Sequence, residues 1–198
     1  MMKSEWIYPQ GFSVLRHHQE QLLNQKSCVL WMTGLSGSGK TTLARSLQKM
    51  LYDSGYFCSV MDGDTLRSGL CDDLGFSLSD RMENIRRAAS VAKYLAENGC
   101  IVICSFISPT IASRNLAKKI IGAGDYLEVF IDTPLDICEQ RDVKGLYQKA
   151  RAGIIKDFTG IGSPFESPTE PWMTITTDNQ SIEEATTTLF NNLLTRII

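Results

Sequence analysis

An α/β fold, with a parallel sheet of about five strands flanked by helices, follows from three features of the sequence. Short β-rich runs alternate with helical ones, the order that layers helices on both faces of a parallel sheet. Several of these runs are almost continuously apolar, as strands covered on both faces must be. Between the first run and the first amphipathic segment lies GLSGSGKTT, Gly34–Thr42, with the G-x-x-x-x-G-K-[ST] spacing of a phosphate-binding loop in its strand–loop–helix setting. Together these predict the P-loop NTPase architecture in a single domain over residues 1–198, with residues 1–27 as an N-terminal extension.

The strands are CVLWMT (28–33), YFCSVM (56–61), CIVICSF (100–106), YLEVFID (126–132) and WMTITT (172–177). The helix opened by the loop sets Leu43, Leu47, Met50 and Leu51 on one stripe. A longer helix spans about Arg81–Glu97. Ser79 or Asp80 could cap it, Glu83 is placed for a capping box on Asp80, and Gly99 stops it. The last helix starts at Ser181, with Glu184 completing the same capping signature. Residues 143–171, VKGLYQKARAGIIKDFTGIGSPFESPTEP, mix basic residues with Gly and Pro around one short helical piece. A long irregular segment in a compact domain is more often functional than idle.

Composition removes several function classes. A formal net charge of −2 lacks the basic surplus of a nucleic-acid binder. The longest apolar runs, Cys28–Met32 and Cys100–Cys104, are too short to cross a bilayer, and no charged start leads into an apolar signal segment. The expected compartment is the cytoplasm, with all six cysteines reduced. No CxxC pair occurs, and His17 and His18 lie far from every cysteine but Cys28, so zinc-ligand spacing is absent.

On the donor side, Gly34, Leu35, Ser36, Gly37, Ser38, Gly39, Lys40, Thr41 and Thr42 form an ATP-binding loop. The glycines let backbone N–H groups turn toward the phosphates, Lys40 reaches the β- and γ-phosphates, and the Thr41 hydroxyl ligates Mg²⁺. The N-terminus of the following helix adds partial positive charge. A chance match at the four specified positions arises in roughly one chain in a hundred of this length, and the flanking strand and helix decide against it. No N-K-x-D guanine motif occurs, and the chain is too short for a motor's machinery, which leaves a small-molecule kinase.

On the acceptor side, Asp62 and Asp64 emerge at the carboxyl end of the second strand, where α/β folds place ligands. Two acids there can hold Mg²⁺ or orient an attacking hydroxyl. Alternatively, Asp64 caps a short helix starting at Thr65 and Asp62 is a turn residue. Arg81 and Asn84 share a helix face and, with Arg67, could clamp an anion; or Arg81, Arg86 and Arg87 simply line a solvated face. Phe76 could be core or a stacking platform for a base. Ser105 and Ser108 end the third strand, and Ser108, before Pro109, is either a turn residue or a hydroxyl aimed at the γ-phosphate.

GLSGSGKTT, DGDTLRSGLCDDLGFS, DRMENIRR, FISP, EVFIDTPLDICEQRDVKGLYQKARAG and FTGI, in this order, closely resemble the adenylylsulfate kinase family from about Trp6 to Asp178. That family transfers the γ-phosphate of ATP to the 3′-hydroxyl of adenosine 5′-phosphosulfate, giving 3′-phosphoadenosine 5′-phosphosulfate. The resemblance implies a phosphosulfate clamp of Arg67, Arg81 and Asn84, and an adenine sandwich between Phe76 and Phe158. It implies Ser108 as the serine described as a phosphoserine intermediate, beside the substrate-binding Ile107. Asp62 and Asp64 match active-site acids, Asp62 also a metal ligand and Asp64 also a substrate contact. About residues 141–163 resemble a mobile lid, with Lys144 and Leu146 near the substrate and Arg151 near ATP. A homodimer and a functional link to ATP sulfurylase are implied as well.

The chain departs from the family pattern around the pocket. Thr65 and Ser68 stand where Asn and His are frequent, Thr110 and Ile111 follow ISP in place of an aromatic or His and an Arg, and Asp72 replaces a commonly basic residue. Arg114 is kept. These changes bear on affinity and turnover more than on reaction type. The competing expectations are a kinase of another small acceptor, such as gluconate, shikimate or a nucleoside monophosphate, and a nucleotide-binding regulatory protein that has lost catalysis.

Overall fold

The computed structural model describes residues 14–198. The start of the family resemblance at Trp6 and the first half of the N-terminal extension lie outside the described residues. The remainder of that extension holds α1 (Arg16–Leu23), tied down where Arg16 grips Asp125 through two bonds of 2.6 and 2.8 Å.

Five parallel strands form one sheet: β1 (Val29–Thr33), β2 (Cys58–Asp62), β3 (Ile101–Ser105), β4 (Tyr126–Asp132) and β5 (Met173–Thr176), in the order β2-β3-β1-β4-β5. β1 is central, and the chain builds β2 and β3 on one side of it before crossing to β4 and β5 on the other. Such a reversal opens a crevice at the strands' carboxyl ends.

Successive residues of β1 alternate between two cores. Leu30 and Met32 pack with Leu43, Leu47 and Leu51 of α2 (Lys40–Asp53) and with Leu189, Leu193 and Ile197 of α8 (Ile182–Ile197). Val29 and Trp31 pack on the other face with Ala88, Ala89 and Ala92 of α4 (Leu78–Glu97) and Ala117 of α5 (Ile111–Ile121). β1 is buried along its whole length on both faces, which is why it reads as an unbroken apolar run. Truncating Leu47 to Ala would cost about 2–5 kcal/mol at such a site. Met50, expected on the same stripe, is only half-buried. A third, smaller cluster of Cys138, Tyr147, Ala150 and Phe158 knits α6 (Leu135–Arg141) to α7 (Leu146–Arg151) and the irregular segment beyond it.

Two capping expectations are corrected. α4 begins at Leu78, and its cap is Ser77, whose hydroxyl accepts the Asp80 N–H at 3.2 Å. Glu83 turns away from Asp80 because Arg86 and Arg87 engage both of its oxygens. The short helix after β2, α3, spans Gly63–Arg67, so Asp62 rather than Asp64 caps it, accepting from the N–H groups of Asp64 and Thr65 at 3.0 and 2.9 Å. The capping box of Ser181 and Glu184 on α8 is present as expected, and all six cysteines are free thiols. Among the described residues no helix is long and apolar enough to cross a membrane.

Candidate active site

The loop Gly34–Thr42 leaves β1 and enters α2 at the crevice. Gly34 has φ 153°, and a Cβ there would sit 2.6 Å from the Ile131 carbonyl, so only glycine lets the loop pass β4 this closely. Lys40 is 7 % exposed and folds back over the loop, donating to the carbonyls of Gly34 and Leu35 at 2.9 and 2.6 Å and to Ser38 Oγ at 3.2 Å. Burial pushes its pKa down to about 8. A buried cation with only neutral partners is poised for an anion that would restore its charge. Ser36 offers its carbonyl to the Tyr147 hydroxyl at 2.9 Å, which fastens the loop to α7. Leu35 packs against the cluster around Phe158, while Thr42 faces solvent.

Three oxygen-bearing residues meet beside the loop. Thr41 Oγ1 lies 3.2 Å from Ser105 Oγ, and Ser105 is the register partner of Asp62 across β3 and β2. Asp62 uses Oδ1 for its cap and has Oδ2 to spare. Hydroxyl and single carboxylate oxygens suit Mg²⁺, a hard ion that takes few protein ligands and shares the rest with phosphate and water. No cluster of three acidic, His or Cys ligands exists among the described residues, so a self-sufficient metal cage is not built here. Asp64, exposed at the start of α3, is paired with Lys144 of the segment between α6 and α7.

Ser108 is 2 % exposed and adopts φ 36°, a left-handed conformation unusual for serine. Its hydroxyl accepts from Trp31 Nε1 at 3.0 Å and donates to Thr33 Oγ1 at 3.3 Å. Its carbonyl is held by Arg114 at 3.0 Å, itself paired with Glu128 at 3.0 Å. The hydroxyl is thus engaged with β1 rather than free toward the loop. Ile107 beside it is half-buried, its carbonyl taken by Thr33 at 2.7 Å.

The acceptor-side residues converge from α3, α4 and the loop between them. The Arg67 guanidinium stacks 4.4 Å from the Phe76 ring centre while donating to the carbonyls of Leu74 and Gly75. Arg81 lies 5.9 Å from the same ring and donates to the Phe76 carbonyl at 2.9 Å. Phe76 itself is 67 % exposed, a platform and not core. Asn84, one helical turn from Arg81, is buried, and its Oδ1 has no partner among the described residues. An orphaned buried carbonyl costs about 1–3 kcal/mol, which a ligand donor would recover.

Phe158 is 8 % exposed, its ring edge-on to Tyr147 at 5.0 Å, and Arg81 reaches the residues on either side of it. Leu146 is half-buried in the same cluster. Arg151 is paired with Glu139 of α6 at 2.5 Å. Between Leu35 and residues Gly160–Phe165 lies a cavity of about 590 Å³ that is broadly open to solvent, and none of Lys40, Arg67, Phe76, Arg81 and Asn84 lines it.

Comparison with known proteins decides the family. The model of the Adenylylsulphate kinase family matches residues 26–176. The chain belongs to that family. The adenylyl-sulfate kinase of Phocaeicola vulgatus is 49% identical over 194 residues, 98% of this chain and 95% of its own. That of Clostridium acetobutylicum is 51% identical over 182 residues, 92% of this chain and 90% of its own. Among solved structures, the Mycobacterium tuberculosis APS kinase in complex with AMPPNP and APS superposes with a TM-score of 0.82 at 47% identity, covering 85% of this chain and 98% of that one.

The chain also holds residues that its sequence did not mark. Tyr147 anchors the loop, Trp31 engages Ser108, and Thr133 and Thr177 both approach the Ser38 carbonyl. Each acts across 77 or more residues of chain, so no motif spacing announces them.

Proposed function

We propose that the chain transfers the γ-phosphate of ATP to the 3′-hydroxyl of adenosine 5′-phosphosulfate, yielding 3′-phosphoadenosine 5′-phosphosulfate. The observation that carries this reading is the grouping of Arg67, Phe76, Arg81 and Asn84, whose Oδ1 has no partner among the described residues, in a chain that also holds a complete phosphate loop. Two cations, an aromatic face and a spare amide carbonyl suit a base carrying an anionic tail. The relative bound to AMPPNP, an ATP analogue, and to APS supports the same pair of substrates.

Phosphoryl transfer has a loose transition state, so positioning and charge neutralisation dominate. Lys40 leaves its loop carbonyls for the β- and γ-phosphate oxygens. Thr41 and Asp62 would hold Mg²⁺, which when bound shares the phosphate charge. Asp64, released from Lys144 as substrate enters, orients the 3′-hydroxyl for in-line attack together with Asp62. Lys144 and Arg81 draw residues 141–163 over the acceptor, and closure excludes water from the reacting groups. Transfer is direct, and Ser108, tied to Trp31, positions the turn after β3 rather than accepting phosphate. ATP supply and six free thiols support a cytoplasmic site. A homodimer is the proposed assembly, and ATP sulfurylase the proposed source of substrate.

The test is a panel of acceptors under Mg-ATP: adenosine 5′-phosphosulfate, gluconate, shikimate and nucleoside monophosphates. Rapid ADP release with the first alone is expected. Preference for any other, or a silent panel with intact nucleotide binding, overturns the reading.

A further inference from the structure

The back of the phosphate loop is gripped by side chains from the far strands. The Ser38 carbonyl lies 3.0 Å from Thr177 Oγ1 and 3.1 Å from Thr133 Oγ1, and the two hydroxyls are 2.7 Å apart. Thr133 directly follows β4 and Thr177 directly follows β5, and both are buried. Arg141, ending α6, donates to Thr177 Oγ1 at 2.9 Å and to the Thr177 carbonyl at 2.6 Å.

Proton accounting orders this cluster. Each hydroxyl has one proton and two lone pairs. Arg141 fills one lone pair of Thr177 and so fixes its hydroxyl in place. Either threonine can donate to the other, and whichever does so leaves its partner's proton for the Ser38 carbonyl, which lies within reach of both. The pair, held by Arg141 through Thr177, supplies the donor.

A trans peptide is planar, with its C=O and N–H on opposite sides. Holding the Ser38 carbonyl outward therefore turns the Gly39 N–H inward, to the concave side of the loop. Among the described residues no protein acceptor takes that N–H. Gly39 sits at φ 98°, and glycine has little intrinsic preference to keep that geometry. A Cβ on Gly39 would lie 3.8 Å from Thr177 Cγ2, so the threonine is against the loop at this residue.

We propose that Thr177, oriented by Thr133 and Arg141, is a positioning residue that aims the Gly39 N–H at a nucleotide phosphate and so sets donor affinity. The inference rests on the reading of the loop as the ATP site and is independent of the acceptor. Thr133 and Thr177 touch no phosphate themselves. They act through one peptide plane.

The test is calorimetric titration of the full chain with Mg-ADP, comparing wild type with Thr177→Val, Thr177→Ser and Thr133→Val, each with its thermal midpoint. Loss of one net hydrogen bond should weaken Thr177→Val by about threefold to tenfold. Thr177→Ser, which keeps the hydroxyl, should recover most of that loss, and Thr133→Val should weaken binding by about twofold to threefold. A purely structural threonine would lower the thermal midpoint and leave affinity unmoved. A folded Thr177→Val that binds as wild type does, or a serine variant as weak as the valine one, overturns the proposal. Should Thr177→Val fail to fold, Thr133→Val decides, unchanged affinity counting against. Wild-type protein that binds no nucleotide overturns the ATP reading and this inference with it.

Discussion

Arg81 on α4 donates through Nη2 to the carbonyl of Asp157 at 3.2 Å, across 76 residues of chain. With its second bond, to Thr159 Oγ1 at 3.4 Å, it spans Phe158 and joins the acceptor side to the proposed lid. Both bonds are long and end on neutral oxygens. Burial, then the neighbouring Arg67, disfavours the Arg81 charge. An anion between the two guanidiniums would relieve that repulsion.

Arg81→Ala should therefore injure acceptor use selectively. Losing a charge-assisted bond costs about 1.5–3 kcal/mol, or roughly tenfold to a hundredfold in acceptor KM. Mg-ADP affinity should move by less than about threefold, on the same reasoning that no donor contact is lost. Steady-state kinetics beside nucleotide titration checks it, and equal injury to both substrates contradicts it.

Asn84→Leu trades an orphaned carbonyl for an apolar group of similar size. The free protein should gain about 1 kcal/mol, read as a rise in thermal midpoint, while acceptor turnover collapses. A destabilised but active variant would show that Asn84 is structural.

Lys40 gives a pH dependence with a fixed sign. Its pKa falls from 10.5 to about 8 on folding, burial being the largest cause. Between these values the unfolded chain holds more protons, so this group makes stability rise with pH across that window. Phosphates restore the charge, so ATP binding takes up a proton above about pH 8, and affinity falls there by up to about tenfold per pH unit. Calorimetry at about pH 8.5 in two buffers of different ionisation enthalpy measures the uptake directly. Zero uptake refutes the assignment of Lys40 to the phosphates.

Ser108→Ala separates two roles for the serine. Trp31 Nε1 would lose its acceptor, and stability should drop by about 1–3 kcal/mol. Turnover retained within about tenfold, a barrier change below roughly 1.4 kcal/mol, fits a positioning serine. Retained turnover of that size would rule out an obligatory phosphoserine, whereas loss of all phosphoryl transfer in a folded variant would contradict a serine that only holds the turn.

The phosphate loop was legible in the sequence because its geometry is local. Gly34, Gly39, Lys40 and Thr41 specify a turn, a close approach and a cation within a few residues. The strands were legible for a related reason: with β1 covered on both faces, burial writes itself as an apolar run. The acceptor side was not legible from spacing, which left Asp62 and Asp64 open between cap and ligand; only the family resemblance gave them roles. Asp62 turns out to cap α3 with one oxygen and keep the other free, a division no spacing could reveal. α4 starts earlier than expected because Ser77 out-competes Ser79 and Asp80, while Arg86 and Arg87 capture Glu83. Thr133 and Thr177 meet Ser38 only because β4 and β5 end side by side, a long-range consequence of sheet order.

The central claim is that this pocket presents a ribose 3′-oxygen to the terminal phosphorus of ATP. The most direct measurement is the position of the new phosphate after incubation with Mg-ATP and adenosine 5′-phosphosulfate, read by phosphorus NMR of the purified product. A phosphomonoester on the 3′ carbon with the sulfate still in place is expected. Inorganic phosphate beside unchanged adenylylsulfate, or a phosphate on any other atom, would contradict it.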